Sequence, residues 1–191
     1  LAPEPKTTMA NNDNAAAAVN ALTGEAARAA QSGDESGMIR AWARILEIDP
    51  NHGPTLSGMG QFSFRKGNLQ AARTAFQRVA DTDGSDVQQW INLALVNQRL
   101  GDDVAEAEAI RRGLALDPSD LLCLVLRGNL LERQGKQHQA ARAYSAAATV
   151  APPLEQLHPE LRPAVLHARE YRDKYDQDLG VFMDAFPEPH Y

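Results

Sequence analysis

The chain has 191 residues, 19 Lys and Arg against 25 Asp and Glu, and a formal net charge of −6. That length suits one domain or a short repeat array, and 43% hydrophobic residues provide for a core that a disordered chain lacks. The acidic balance argues against nucleic acid or an anionic bilayer as partner, because both select a basic patch.

Cys123 is the only cysteine, which excludes an intrachain disulfide and a multi-cysteine zinc site. No run of about 18 apolar residues offers a membrane span. The expectation is a soluble cytoplasmic protein with no cofactor and no metal.

In chain order, residues 1–13 are read as a disordered tag-like tail. The chain opens on Leu1-Ala2-Pro3 without Met, with Met9 taken as the natural start. Asn11 to Asn14 are polar, and Ala15 to Val19 are too short a run for a signal-peptide core, with no basic stretch before them. No export is expected.

A repeat then organises the chain. Gly33, Gly67, Gly101 and Gly135 recur at one spacing, and Pro50, Gly84, Pro118 and Pro152 repeat in step behind them. Trp42, Phe76, Ile110 and Tyr144 form a column of large apolar residues, each preceded by Ala41, Ala75, Ala109 or Ala143. Asp49, Asp83 and Asp117 stand before the breakers, with Ala151 departing in the fourth copy.

Each period predicts two helices. The first of each pair is expected over 14–31, 53–66, 86–99 and 120–134, and the second over 34–48, 69–82, 102–116 and 137–150. The glycines suit a left-handed residue that ends a helix. Asp34, Asn68 and Asp102 suit the N-cap of the next helix. The Asp-Pro pairs at 49–50 and 117–118 end the second helices, since proline disfavours helical geometry in the residue before it. Small residues at Gly60, Ala94 and Gly128 admit close helix approach beneath the large column.

On these residues the chain resembles the tetratricopeptide repeat (TPR) family. GNLQAARTAFQRVADTD (67–83), GDDVAEAEAIRRGLALDP (101–118) and GKQHQAARAYSAAATVAP (135–152) carry the likeness. The first copy is weaker, with Glu25 and Ala29 where larger apolar residues are usual. The resemblance implies an all-α, right-handed α-solenoid of four TPR helix pairs over 14–152, since no single pair buries its apolar face alone.

Residues 153–191 are read as a proline-rich junction and a long C-terminal amphipathic capping helix, from about 160 to 185. Its apolar stripe is Leu166, Tyr171, Tyr175, Leu179, Phe182, Met183 and Phe186. The upper half is expected to pack on repeat four. Tyr175, Leu179, Phe182 and Phe186 are expected beyond that support, as a strip open to a partner or to a homodimer.

Catalytic chemistry finds no motif. The histidines at 52, 138, 158, 167 and 190 are scattered, and His158-Pro159-Glu160 has two members of an iron facial triad but sits in a loop. No zinc-protease, nucleophile-elbow, P-loop or dinucleotide motif occurs. Cys123, between Leu122 and Leu124, reads as a buried structural thiol.

Binding remains. In a solenoid the first helices line a concave groove, and by register its candidate residues are Gln61, Phe64 and Arg65 in repeat two. Repeat three supplies Gln88, Asn92, Leu95 and Arg99; repeat four supplies Leu122, Asn129 and Arg133. Arg65, Arg99 and Arg133 share one repeat position. They suit bidentate pairing with carboxylates of a peptide, and equally a cation in the last helical turn favoured by the macrodipole. The Lys/Asn clamp that TPR co-chaperones use for a terminal carboxylate is unmatched, with Thr23 and Ala27 at the corresponding positions of repeat one.

The expected function is therefore a non-catalytic protein–protein interaction scaffold with a protein or peptide ligand. A second reading rests on residues 151–185, which are similar to the junction and helix that follow TPRs in bacterial aspartyl/asparaginyl β-hydroxylase-like oxygenases. That similarity implies a 2-oxoglutarate and iron(II) domain outside this chain, with the repeats positioning its substrate. It carries over no iron-binding residue.

Overall fold

The computed structural model describes residues 6–185, with side chains described over 13–179. It is all-α, with no strand among the described residues. Contacts divide the chain into two compact units, Leu1–Asp83 and Gly84–Tyr191.

The first unit holds α1 (Lys6–Ser32), α2 (Glu35–Ile48), α3 (Gly53–Arg65) and α4 (Leu69–Thr82). The second holds α5 (Val87–Leu100), α6 (Asp103–Leu116), α7 (Leu121–Arg133), α8 (Gln137–Val150) and α9 (Arg162–Ala185). A short 3-10 turn at Leu154–Gln156 precedes α9. These are the helix pairs that the period predicts, with ends shifted by one or two residues, save at the N-terminus.

There α1 begins at Lys6, which corrects the tail expected over 1–13 for every described residue in it. Asn and Asp disfavour a helix interior by well under about 1 kcal/mol each, and lengthening a helix already nucleated by Ala15 to Ala18 needs no new nucleus. Residues 1–5 lie outside the described set.

The hairpin turns repeat closely. Gly33, Gly67, Gly101 and Gly135 have φ of 74°, 79°, 72° and 70°. In each, the amide that follows the glycine reaches back to a last-turn carbonyl, as Asn68 N to Ser63 O at 2.8 Å and Lys136 N to Leu131 O at 2.9 Å. This Schellman closure satisfies carbonyls that the helix leaves open. Asp34 and Asp102 then accept from the amides of Gly37 and Ala105, whereas Asn68 caps α4 without a side-chain bond. Asp49 and Asp117 are extended, as a residue before proline must be. Asp83 takes nearly the same geometry ahead of Gly84, so the proline is sufficient there but not required.

The large column fills the space that the small one leaves. Phe76, Ile110 and Tyr144 are buried, and Trp42 is half-buried. A methyl on Gly60 would sit 2.5 Å from Phe76 Cε1, and one on Gly128 would fall inside the Tyr144 ring's van der Waals envelope. Burying each of these side chains stabilises its hairpin by about 1.5–3 kcal/mol.

Candidate functional site

The expected groove residues fall on α3 in the first unit and on α5 and α7 in the second. On α3, Gln61 and Arg65 are exposed and Phe64 is half-buried. On α5, Gln88 and Arg99 are exposed, with Asn92 and Leu95 half-buried between them. Gln88 Nε2 donates to Asn92 Oδ1 at 3.1 Å. The other end of that amide, Asn92 Nδ2, is buried and has no hydrogen-bond partner among the described residues.

On α7 the same face carries half-buried Leu122 and Asn129 and exposed Arg133. Two of these three side chains are engaged within the protein. Asn129 Oδ1 lies 2.8 Å from the Tyr144 hydroxyl oxygen. Arg133 Nη2 donates to Glu106 Oε2 at 2.5 Å and lies 3.6 Å from Asp103 Oδ1. Glu106 is fully buried. Its burial raises the carboxyl above the usual range, against the pull of the Arg133 guanidinium and the amide of Gln98. Arg133, although 41% exposed itself, thus neutralises a buried carboxylate.

Glu106 was not among the expected site residues, although one signal pointed to it. The equivalent positions in the neighbouring copies are Ala72 and Ala140, both buried, and a carboxylate in a column of buried alanines requires a partner.

A second cluster joins α7, α8 and α9. Tyr144, fully buried on α8, donates to Glu132 Oε2 at 2.6 Å, and His167 Nε2 on α9 lies 2.8 Å from that same oxygen. Burial raises the Glu132 carboxyl, but the bonds from Tyr144 and His167 outweigh it and hold the group below its usual value. The Tyr144 and Tyr171 rings are 5.0 Å apart, and His167 meets Tyr144 edge-on.

This cluster seats α9 on repeat four through Val165 and Ala168, both buried. Leu166, placed on the expected stripe, is instead 41% exposed, because Val165 and Ala168 take the packed face of the helix. Tyr175 is not beyond support either: its hydroxyl lies 2.9 Å from His138 Nδ1. Leu179 is 47% exposed, as expected of the outer strip. The side chains of Phe182, Met183 and Phe186 lie outside the described set.

No group of three or more metal-ligating side chains gathers among the described residues. His158 and Glu160 are exposed, 4.0 Å apart, with no third ligand. Cys123 is fully buried, and burial with nearby Asp120 pushes its thiol up to about 12. Such a thiol is neutral at pH 7 and a poor nucleophile. No described helix is long and apolar enough to cross a membrane.

Paired helices with left-handed glycines at each turn, packed through a large residue over a small one, define a helical-repeat fold of TPR type. Solved structures carry the same fold. A tetratricopeptide repeat protein from Parabacteroides merdae matches with a TM-score of 0.68 and 16% identity, over 90% of this chain and 68% of that one.

The MamA protein matches with a TM-score of 0.67 and 18% identity, over 91% of this chain and 97% of that one. The Yersinia enterocolitica type III secretion chaperone SycD, in complex with a peptide of the translocator YopD, matches with a TM-score of 0.58 and 14% identity, over 65% and 92%. No protein-family model and no curated relative matches the chain.

Proposed function

We propose that this chain is a non-catalytic scaffold that holds a peptide or protein segment on the face of its first helices. The observation that carries the reading is the buried, unpartnered Asn92 Nδ2 on α5, flanked on one face by Gln88, Leu95 and Arg99. A buried donor without an acceptor costs about 1–3 kcal/mol, and the backbone carbonyl of a bound segment would satisfy it once the side chains covering it move aside. Gln88 and Arg99 are exposed polar residues around it, and Leu95 is a half-buried apolar floor. The fold likeness to SycD, a chaperone solved with a peptide of its partner, supports the same use of the fold.

The oxygenase-linked reading gains no such support. The described apolar side chains of α9 on its packed face are used against repeat four, which is the work of a cap.

The test replaces Asn92 by Leu and Arg99 by Glu, separately, and compares capture of partner proteins from a native lysate by mass spectrometry, followed by titration of the captured segment. Arg133 is left intact, because its loss disturbs Glu106 whatever binds the groove. Partner capture that falls in both variants at unchanged helicity supports the reading. Capture unchanged in both moves the binding face elsewhere.

A further inference from the structure

Repeat four departs from repeat three in a direction that the first-helix face does not use. Leu93 is buried on α5, but its equivalent on α7 is the exposed Arg127. Asp102 caps α6 with a side-chain bond, but its equivalent is Lys136, which gives α8 no side-chain cap. Glu108 on α6 is replaced at the equivalent place on α8 by Arg142. The middle change works against the helix, since a cation at a helix start opposes the macrodipole and loses a cap. All three changes move the charge toward positive in a chain whose net charge is −6.

The three cations line two cavities. Two adjoining cavities, of 460 and 420 Å³, share Arg127 as a wall. The first lies between α6 and α7 over Ile110, Leu114 and Leu130, with Arg111 and Lys136 at its margin. The second lies between α7 and α8 over Leu124, Ala143 and Ala146, with Arg142 at its margin. No carboxylate lines either cavity. Arg111 shares its charge with Glu108, bound at 2.8 and 2.6 Å, whereas Arg127 and Arg142 make no ion pair among the described residues.

We propose that the two cavities flanking Arg127 of α7, toward α6 on one side and α8 on the other, form a docking site for an acidic, leucine-bearing segment of a partner protein. Its carboxylates pair with Arg127 and Arg142, and its apolar side chains lie over Leu114 and Ala146. A bare polyanion fits less well, because the floor is apolar and a phosphate chain has nothing to lay on it. The site is separate from Asn92 and Arg99, so either face can fail without the other.

The experiment uses the full chain and a fluorescein-labelled peptide of alternating Glu and Leu, titrated by anisotropy. Peptides of Lys/Leu and Glu/Ser serve as controls, and polyuridylate as a competitor. The expected result is saturable binding of the Glu/Leu peptide that weakens about tenfold or more in Arg127→Leu and further in the Arg127→Glu, Arg142→Glu double variant. Arg127→Leu installs the residue that repeat three carries at this position, so it keeps the fold, and circular dichroism checks that it does. No saturable binding, equal binding of the Lys/Leu peptide, or an unchanged affinity in the double variant overturns the proposal. Stronger competition by polyuridylate than by unlabelled Glu/Leu peptide overturns it in favour of a polyanion site.

Discussion

Arg133, in the last turn of α7, places Nη2 2.5 Å from Oε2 of Glu106, a carboxylate with no solvent exposure in the preceding hairpin. The pair joins α7 to α6, so the third and fourth hairpins are held in part by an ion pair with a fully buried carboxylate. Removing Arg133 alone leaves a buried carboxylate with Gln98 Nε2, 3.4 Å away, as its remaining donor. Arg133→Ala is expected to destabilise the chain by about 2–3 kcal/mol, below the usual range for a fully buried pair because water reaches the arginine side. Changing Glu106 to Ala, the residue of the neighbouring copies, in the same chain recovers most of that loss. Urea unfolding of the two single variants and the double variant measures the coupling.

The raised Glu106 carboxyl has a pH consequence of definite sign. A folded-state pKa above the unfolded value means that the folded chain binds the proton more tightly. Its contribution is fully present below the unfolded carboxylate pKa of about 4.3 and is lost as pH rises through the folded value. Glu106→Gln removes that term. Its stability relative to the parent is expected to increase between about pH 4 and pH 7, by chemical denaturation at each pH. A constant difference across that window contradicts the assignment.

Glu132 carries the opposite sign. Its folded-state carboxyl is lowered, so the stability it lends is present above the unfolded pKa and lost as pH falls through the folded value. Tyr144→Phe deletes the hydroxyl that bonds both Glu132 and Asn129. The variant is expected to lose about 1–3 kcal/mol at neutral pH and to show a weaker acid dependence than the parent. Fluorescence-detected unfolding reads both.

Gly128 faces the Tyr144 ring too closely for a methyl group. Gly128→Ala gains about 1 kcal/mol of helix propensity but overpacks the hairpin by about 1–3 kcal/mol. The expected net effect is a lower Tm, partly restored when Tyr144 is changed to Leu in the same chain. A higher Tm in the single variant would show that the two helices separate without cost.

Most of the fold was legible in the sequence because its breakers act locally. A glycine that must take positive φ and an Asp that must turn extended announce themselves without knowledge of a partner, which is why eight helices fell close to their expected ends. The start of α1 did not, since polar residues next to an alanine run resist helix too weakly to stop it. On α9, size was a poor guide: Leu166 is the larger residue, but Ala168 is the one buried against Tyr144. The arginine row was legible as a row, yet the partner of Arg133 depends on a neighbouring column in which one alanine has become Glu106.

The central claim is that α5 and α7 form the face that receives a partner segment. Hydrogen–deuterium exchange of the full chain, with and without the captured segment, tests it most directly. Slowed exchange is expected over 87–100, strongest around Asn92, with a smaller effect over 121–133. Protection confined to α2, α4 or α9, with α5 unchanged, would contradict it.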